Sequence, residues 1–205
     1  MNTTLPPIPE LDYQVVINAL KGYAAPRKAL SDMLARGLLL RVKKGIYVQS
    51  GRGIDAFSRE ILSNMIYGPS YVSYESALSA HGMIPERVEM VISATIGKTR
   101  LFKTPIGTFS YIHQKPRYYA FGFNRLSLSE NRGYLMAIAE KALADRVLRE
   151  PGRFSLRDME AFLFENLRVE PTDFRNLDAA VLSQIAKRGA RRSLTVLERL
   201  RRSLA

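Results

Sequence analysis

The stretch from Lys28 to Ser50, "KALSDMLARGLLLRVKKGIYVQS", decides how the N-terminal part of this chain is read. Just before it, Pro26 suits a first helical turn, where its missing N–H is not needed. Leu30, Met33 and Leu34 fall on one face at roughly 100° per residue, and Gly37 marks the end of that helix. Two apolar runs follow at once, "LLLRV" and "GIYV", separated by Lys43, Lys44 and Gly45. Gly45 can take the positive φ that a tight hairpin turn needs. The pattern therefore predicts a short amphipathic helix followed directly by a small hairpin with a basic tip.

With the apolar stripe turned inward, Lys28, Asp32 and Ala35 point outward, flanked by Ser31 and Arg36. A helix packed on a basic-tipped hairpin is the reading part of a winged helix-turn-helix, with the helix in the major groove and the wing on phosphates. The candidate DNA-binding residues are Arg27, Lys28, Ser31, Arg36, Arg41, Lys43 and Lys44. Lys28 and Arg36 suit phosphates or guanine edges, and Ser31 suits either base edge. Asp32 is repelled by phosphates unless it accepts from a cytosine amino group. An earlier helix is expected from Leu11 to Lys21, where Leu11, Val15, Val16, Ala19 and Leu20 recur at helical spacing and Gly22 follows as a breaker. Only Gly22 to Pro26 separate the two helices, so the customary extra helix before the reading helix is expected to be truncated or missing.

The charge distribution agrees with a polyanion partner. The 205 residues carry 31 Lys and Arg against 19 Asp and Glu, a net charge of +12. Seven bases lie between Arg27 and Arg52 against Asp32 alone. Seven more, Lys187, Arg188, Arg191, Arg192, Arg199, Arg201 and Arg202, lie between Ala186 and Ala205 against Glu198. The rest of the chain is balanced. Clustered cations favour phosphates because binding releases condensed counterions. In the second cluster Leu194, Leu197, Leu200 and Leu204 recur at spacings of three and four, which predicts a docked helix displaying its arginines. That end is expected to be a second basic surface, for flanking DNA or for an acidic protein patch.

Between the clusters the pattern is mixed. Phe57, Ile61, Leu62 and Met65 predict one helix, closed by Gly68 and Pro69. In "SYVSYESALSAHGMIP", Ser73 is expected to cap a helix ending at Gly82, with Tyr71, Tyr74, Leu78 and His81 packed inward. "VEMVISATI", "RLFKTP" and "GTFSYIHQ" are rich in β-branched and aromatic residues, and read as a small antiparallel meander. "YLMAIAEKALADRVLRE" predicts a helix through Leu135, Ile138, Ala142 and Leu143, with Glu140, Lys141 and Asp145 on a salt-bridged surface. Two or three further helices complete the chain. The expected fold class is α+β: an N-terminal winged helix-turn-helix over residues 1–50, then a mixed domain over 54–205 whose end, 151–205, is helical and basic. "QSGRG" marks the boundary.

Four segments in order, "LARGLLLRVKKGIYV", "PSYVSYESALSAHGMIPE", "TPIGTFSYIHQ" and "IAEKALADRVL", give the chain a wider likeness from Leu34 to Leu148. In them it resembles the AbiEi-type antitoxins, transcriptional regulators of bacterial abortive-infection systems. The resemblance implies an N-terminal winged-helix domain that binds inverted repeats at its own promoter, and a C-terminal domain needed for antitoxicity. It also implies a neighbouring gene for a nucleotidyltransferase-like toxin, which need not be held in a stable complex. The expected function is that of an autorepressor and antitoxin in phage defence; the alternative is an antitoxin acting mainly as a protein-binding module on the toxin.

No enzymatic site is expected. Adjacent Glu140 and Lys141 diverge on a helix, whereas divalent-metal nuclease sites need converging carboxylates. His81 and His113 stand alone, the chain has no cysteine, and Glu89 is the meander's one acid. "GKTRLFKTPIG" lacks the first glycine of a phosphate loop. No cofactor, metal or small-molecule substrate is expected. No apolar run approaches the roughly 20 residues that span a bilayer. "MNTTLPPIPELDYQ" lacks the features of a signal peptide, so a cytoplasmic location is expected.

Overall fold

The structure, a computed structural model, describes residues 5–51, 56–152 and 154–204. The chain is mixed α+β. In order it forms β1 (Glu10–Asp12), α1 (Tyr13–Ala19), α2 (Pro26–Ala35), β2 (Leu39–Lys43), β3 (Ile46–Gln49), α3 (Arg59–Ile66), β4 (Ser70–Val72) and α4 (Tyr74–Ala80). Then come β5 (Val91–Thr95), β6 (Arg100–Thr104), β7 (Gly107–His113), α5 (Pro116–Tyr119), β8 (Phe123–Ser129), β9 (Arg132–Ala137) and α6 (Ala139–Arg149). The chain ends with α7 (Leu156–Ala161), which runs into a π-helical turn (Phe162–Asn166), then α8 (Pro171–Asn176), α9 (Ala179–Gly189) and α10 (Arg192–Ser203). No helix among the described residues is long and apolar enough to cross a membrane.

The expected helix and hairpin are both present. Pro26 opens α2, Leu30 is its buried residue, and Gly37 leaves the helix at φ +69°. The hairpin turns at Lys44–Gly45 with Gly45 at φ +84°, where only glycine sits without strain. The first helix is shorter than its apolar spacing suggests. Leu11 belongs to β1, which pairs antiparallel with β3, and Asp12 caps α1 by accepting from the Val15 N–H at 2.8 Å. The resulting three-stranded sheet runs β1-β3-β2.

This small unit shares its hairpin with the rest of the molecule. Leu39 and Tyr47 pack with Leu11, Val16, Leu20 and Leu30 in a core of their own. Val42, Ile46 and Val48 instead join the large core of the C-terminal part. Every residue of β3 is buried, so the hairpin lies between two cores and does not project freely. A buried ion pair fastens the same junction: Arg132 in β9 donates to Glu10 in β1 at 2.9 Å, and Glu10 also accepts from the Ser58 N–H at 2.6 Å. The expected boundary at Gln49–Gly53 runs into residues 52–55, which with Arg52 lie outside the described residues.

The three apolar segments expected as a meander belong to a six-stranded mixed sheet, ordered β6-β7-β5-β4-β9-β8. β5 and β7 are parallel, and β6 pairs with β7 from outside. Burial explains the difference: all five residues of β5 are buried, so it needs cover on both faces and a neighbour on each side, whereas β6 is largely exposed, with Leu101 58% accessible. The β8–β9 hairpin was not expected. Tyr134 to Ala137, read as the start of a helix, form β9 instead, because pairing with Phe123–Leu126 overrides their helix preference. Phe57 likewise precedes its helix; Ser58 is the N-cap of α3, accepting from the Ile61 N–H at 3.2 Å. All the helices from α3 to α10 contribute to the large core, α10 through Leu194, Leu197 and Leu200 among others.

Candidate nucleic-acid interface

Helix α2 carries the expected outward face. Arg27, Lys28, Ser31, Asp32, Ala35 and Arg36 are all exposed, while Leu30 is held against Leu39 and Tyr47. Ser31 donates its hydroxyl to the Arg27 carbonyl at 3.1 Å, so it is left as an acceptor rather than a donor toward a base. Asp32 lies on the exposed face one turn from both Lys28 and Arg36, whose charges outweigh it. In the hairpin, Arg41 is exposed on the edge strand β2, its guanidinium 6.0 Å from the centre of the Tyr47 ring, and Lys44 is exposed at the turn. Arg27, Lys28, Arg36, Arg41 and Lys44 make no side-chain hydrogen bond or ion pair among the described residues.

Lys43 departs from the expectation. Its ammonium donates to the Ile66 carbonyl at 2.7 Å and lies 4.2 Å from the centre of the Phe102 ring. Burial, with Arg100 nearby, lowers its pKa. A register shift between Arg41 and Lys43 interrupts the alternation of β2, so Lys43, paired with Ile46, shares with Val42 the face that meets the large core. It holds the hairpin down rather than facing solvent, and is corrected from tip contact to anchor.

The second basic cluster is also divided. Arg201 donates to the Leu177 carbonyl at 2.9 Å, Arg202 pairs with Glu198 at 2.7 Å, and Arg188 lies over the Phe121 ring at 4.1 Å. Lys187, Arg191, Arg192 and Arg199 remain exposed. The leucine stripe of α10 is buried as expected, so the helix is docked.

Lys141 and Asp145 overturn the surface reading of α6. Both side chains are fully buried and joined at 2.8 Å. Asp145 also accepts from the Ser73 hydroxyl at 2.6 Å, so Ser73 is the N-cap residue of α4 as expected but makes no side-chain cap hydrogen bond. Gln114 accepts from Tyr71 at 2.8 Å and from Lys141 at 3.3 Å, and donates to Tyr74 at 3.0 Å. The Lys141 ammonium lies 3.0 Å from the centre of the Tyr118 ring. Burial lowers its pKa to about 8, against the opposing pull of Asp145. Burial and the same carboxylate raise Tyr71 and Tyr74, keeping both phenols protonated. Glu140 sits apart, accepting from the Asp178 N–H at 2.9 Å. His81 bonds the Ala137 carbonyl at 2.8 Å, and His113 that of Gly97 at 2.9 Å. No group of three or more potential metal ligands occurs among the described residues.

No protein-family model matches the chain, and no curated protein is significantly similar to it in sequence.

Proposed function

We propose that this chain is a DNA-binding autorepressor and the antitoxin of a toxin–antitoxin phage-defence pair, whose toxin resembles a nucleotidyltransferase. The observation that carries the DNA reading is the group of exposed, unpaired cations on α2 and the hairpin, whereas in the second cluster Arg201 and Arg202 are engaged internally. Such a group neutralises phosphates without first breaking contacts of its own. The connectivity is in keeping with the same reading: a strand, two helices and a hairpin close into a three-stranded sheet, one helix short of the usual winged helix-turn-helix. In that arrangement α2 enters the major groove and the β2–β3 turn reaches the backbone. The antitoxin part of the proposal rests on the four-segment resemblance. DNA is preferred over direct toxin contact because five unpaired cations, Arg27, Lys28, Arg36, Arg41 and Lys44, share a helix and hairpin of groove-compatible size.

A gel-shift titration against the duplex upstream of the chain's own gene tests the first part, with a scrambled duplex as control. Tighter binding to the native duplex supports autorepression; equal binding removes it. Co-expression with the neighbouring gene tests the second, and growth that the chain fails to rescue removes the antitoxin role.

A further inference from the structure

Outside the two basic clusters the chain is neutral in sum but not in order. No acid occurs between Glu89 and Glu130, while six bases do: Lys98, Arg100, Lys103, Lys115, Arg117 and Arg125. All six are exposed. Arg100 and Lys103 belong to β6, an edge strand of the large sheet, and Lys98 stands in the turn that leads into it. Cations on an edge strand ordinarily keep other strands from pairing there. That accounts for Lys103, but not for the place given to Arg100.

Strand β6 meets the β2–β3 hairpin. The Lys43 ammonium lies 4.2 Å from the centre of the Phe102 ring, and Arg100 is close enough to help lower the Lys43 pKa. Side chains alternate along β6, which pairs with β7 without a register shift. Arg100 therefore shares with Phe102 the face that meets the hairpin, and Leu101 and Lys103 take the other. Two cations, one from the N-terminal unit and one from the large sheet, are thus brought together, and neither has a carboxylate partner among the described residues. Like charges repel, and an anion placed between such groups relieves the repulsion. Lys43 is already committed to the Ile66 carbonyl, which leaves Arg100 as the group able to take that anion. The exposed Lys44 turn follows Lys43 directly, so the free cations of the hairpin and of β6 run on from one to the other.

We propose that the duplex bound by α2 and the hairpin turn continues across β6, where Arg100, with Lys98 beside it, takes backbone phosphates flanking the segment that α2 reads. This rests on DNA binding by α2 and adds the larger domain to it. The flanking contact carries no sequence information, because a guanidinium on a sheet edge meets phosphate oxygens rather than base edges. It also gives the anchoring of the hairpin by Lys43 a consequence for binding. Two phosphate-binding elements from different cores are held at a fixed spacing, so the second contact needs no further ordering of the chain.

Hydroxyl-radical footprinting of the full chain on the duplex upstream of its own gene tests this. The native chain should protect the α2 segment and a few backbone positions on one side of it. The double variant Lys98→Ala, Arg100→Ala should lose the flanking protection alone. On a duplex extended past the footprint, that variant should bind roughly ten- to fiftyfold more weakly near 0.15 M salt and flatten the salt slope by about two units. On a duplex trimmed to the α2 segment, the variant and the native chain should show the same slope. Lys103→Ala, on the opposite face of the same strand, should change neither footprint nor slope. Arg100 is exposed and has no partner to lose, so the double variant should melt no lower than the native chain, which separates a binding role from a structural one. A footprint and slope unchanged in the double variant, or an equal loss in Lys103→Ala, would overturn the proposal and leave DNA binding by α2 standing. No binding of either duplex by the native chain at low salt would overturn both.

Discussion

Lys141 and Asp145 show how a single pair changes meaning between sequence and structure. At spacing i, i+4 on a helix they read as a surface salt bridge, and nothing within "AEKALAD" distinguishes that from burial. What buries them comes from distant segments: Tyr71, Ser73, Gln114 and Tyr118. Removing one member of such a pair strands the other charge, so Asp145→Ala should destabilise the chain by about 3–5 kcal/mol. Replacing both, as Lys141→Met with Asp145→Leu, should cost clearly less than the two single changes combined. Denaturant unfolding checks this, and additive losses would contradict the coupling. Lys43 is the same lesson on a strand: the sequence placed it correctly beside the turn, but which face meets the second core depends on a partner the local pattern does not contain. Lys43→Ala should therefore lower the melting temperature and leave the salt dependence of DNA binding unchanged. Lys44→Ala should do the reverse, flattening that slope by about one unit.

At the scale of elements, helix α2 and its hairpin were legible because their signals are local: Pro26 at the start, Gly37 at the end, Gly45 in the turn. The strands of the large sheet were legible as strands through β5, β6 and β7, but not in their order. Order depends on which strands must be covered on both faces, and β4 and β5 are those strands. The hairpin makes a sharp prediction. A Cβ added at Gly45, φ +84°, would meet the Tyr13 Cβ at 3.9 Å, an ordinary contact, so the main cost of Gly45→Val is backbone strain. It should cost about 1–3 kcal/mol and weaken DNA binding, as read by thermal melting and gel shift. At the other end, α10 is more than a basic surface. Leu194, Leu197 and Leu200 belong to the large core, so truncating residues 190–205 would remove packing together with charge. Leu197→Ala alone should cost about 2–5 kcal/mol in equilibrium unfolding. The exposed Arg192 and Arg199 are the positions where charge can be removed without touching the core.

Across the whole molecule, the N-terminal unit is tied to the larger domain by shared burial of the hairpin and by the Glu10–Arg132 pair. Those two residues lie 122 positions apart in the chain, and no local pattern announces their meeting. Their effect is to fix the direction in which α2 and the Lys44 turn face solvent. The central claim is that the exposed cations of this fixed unit meet phosphates. Fluorescence anisotropy of a labelled duplex, titrated with the native chain at several salt concentrations, measures it most directly. Contacts by Arg27, Lys28, Arg36, Arg41 and Lys44 predict that log K falls against log salt with a slope of about −4 to −5. The combined variant Lys28→Ala, Arg36→Ala, Lys44→Ala should keep its fold and flatten that slope by about three units. No binding by the native chain at low salt, or a slope that the three substitutions leave unchanged, would contradict the account.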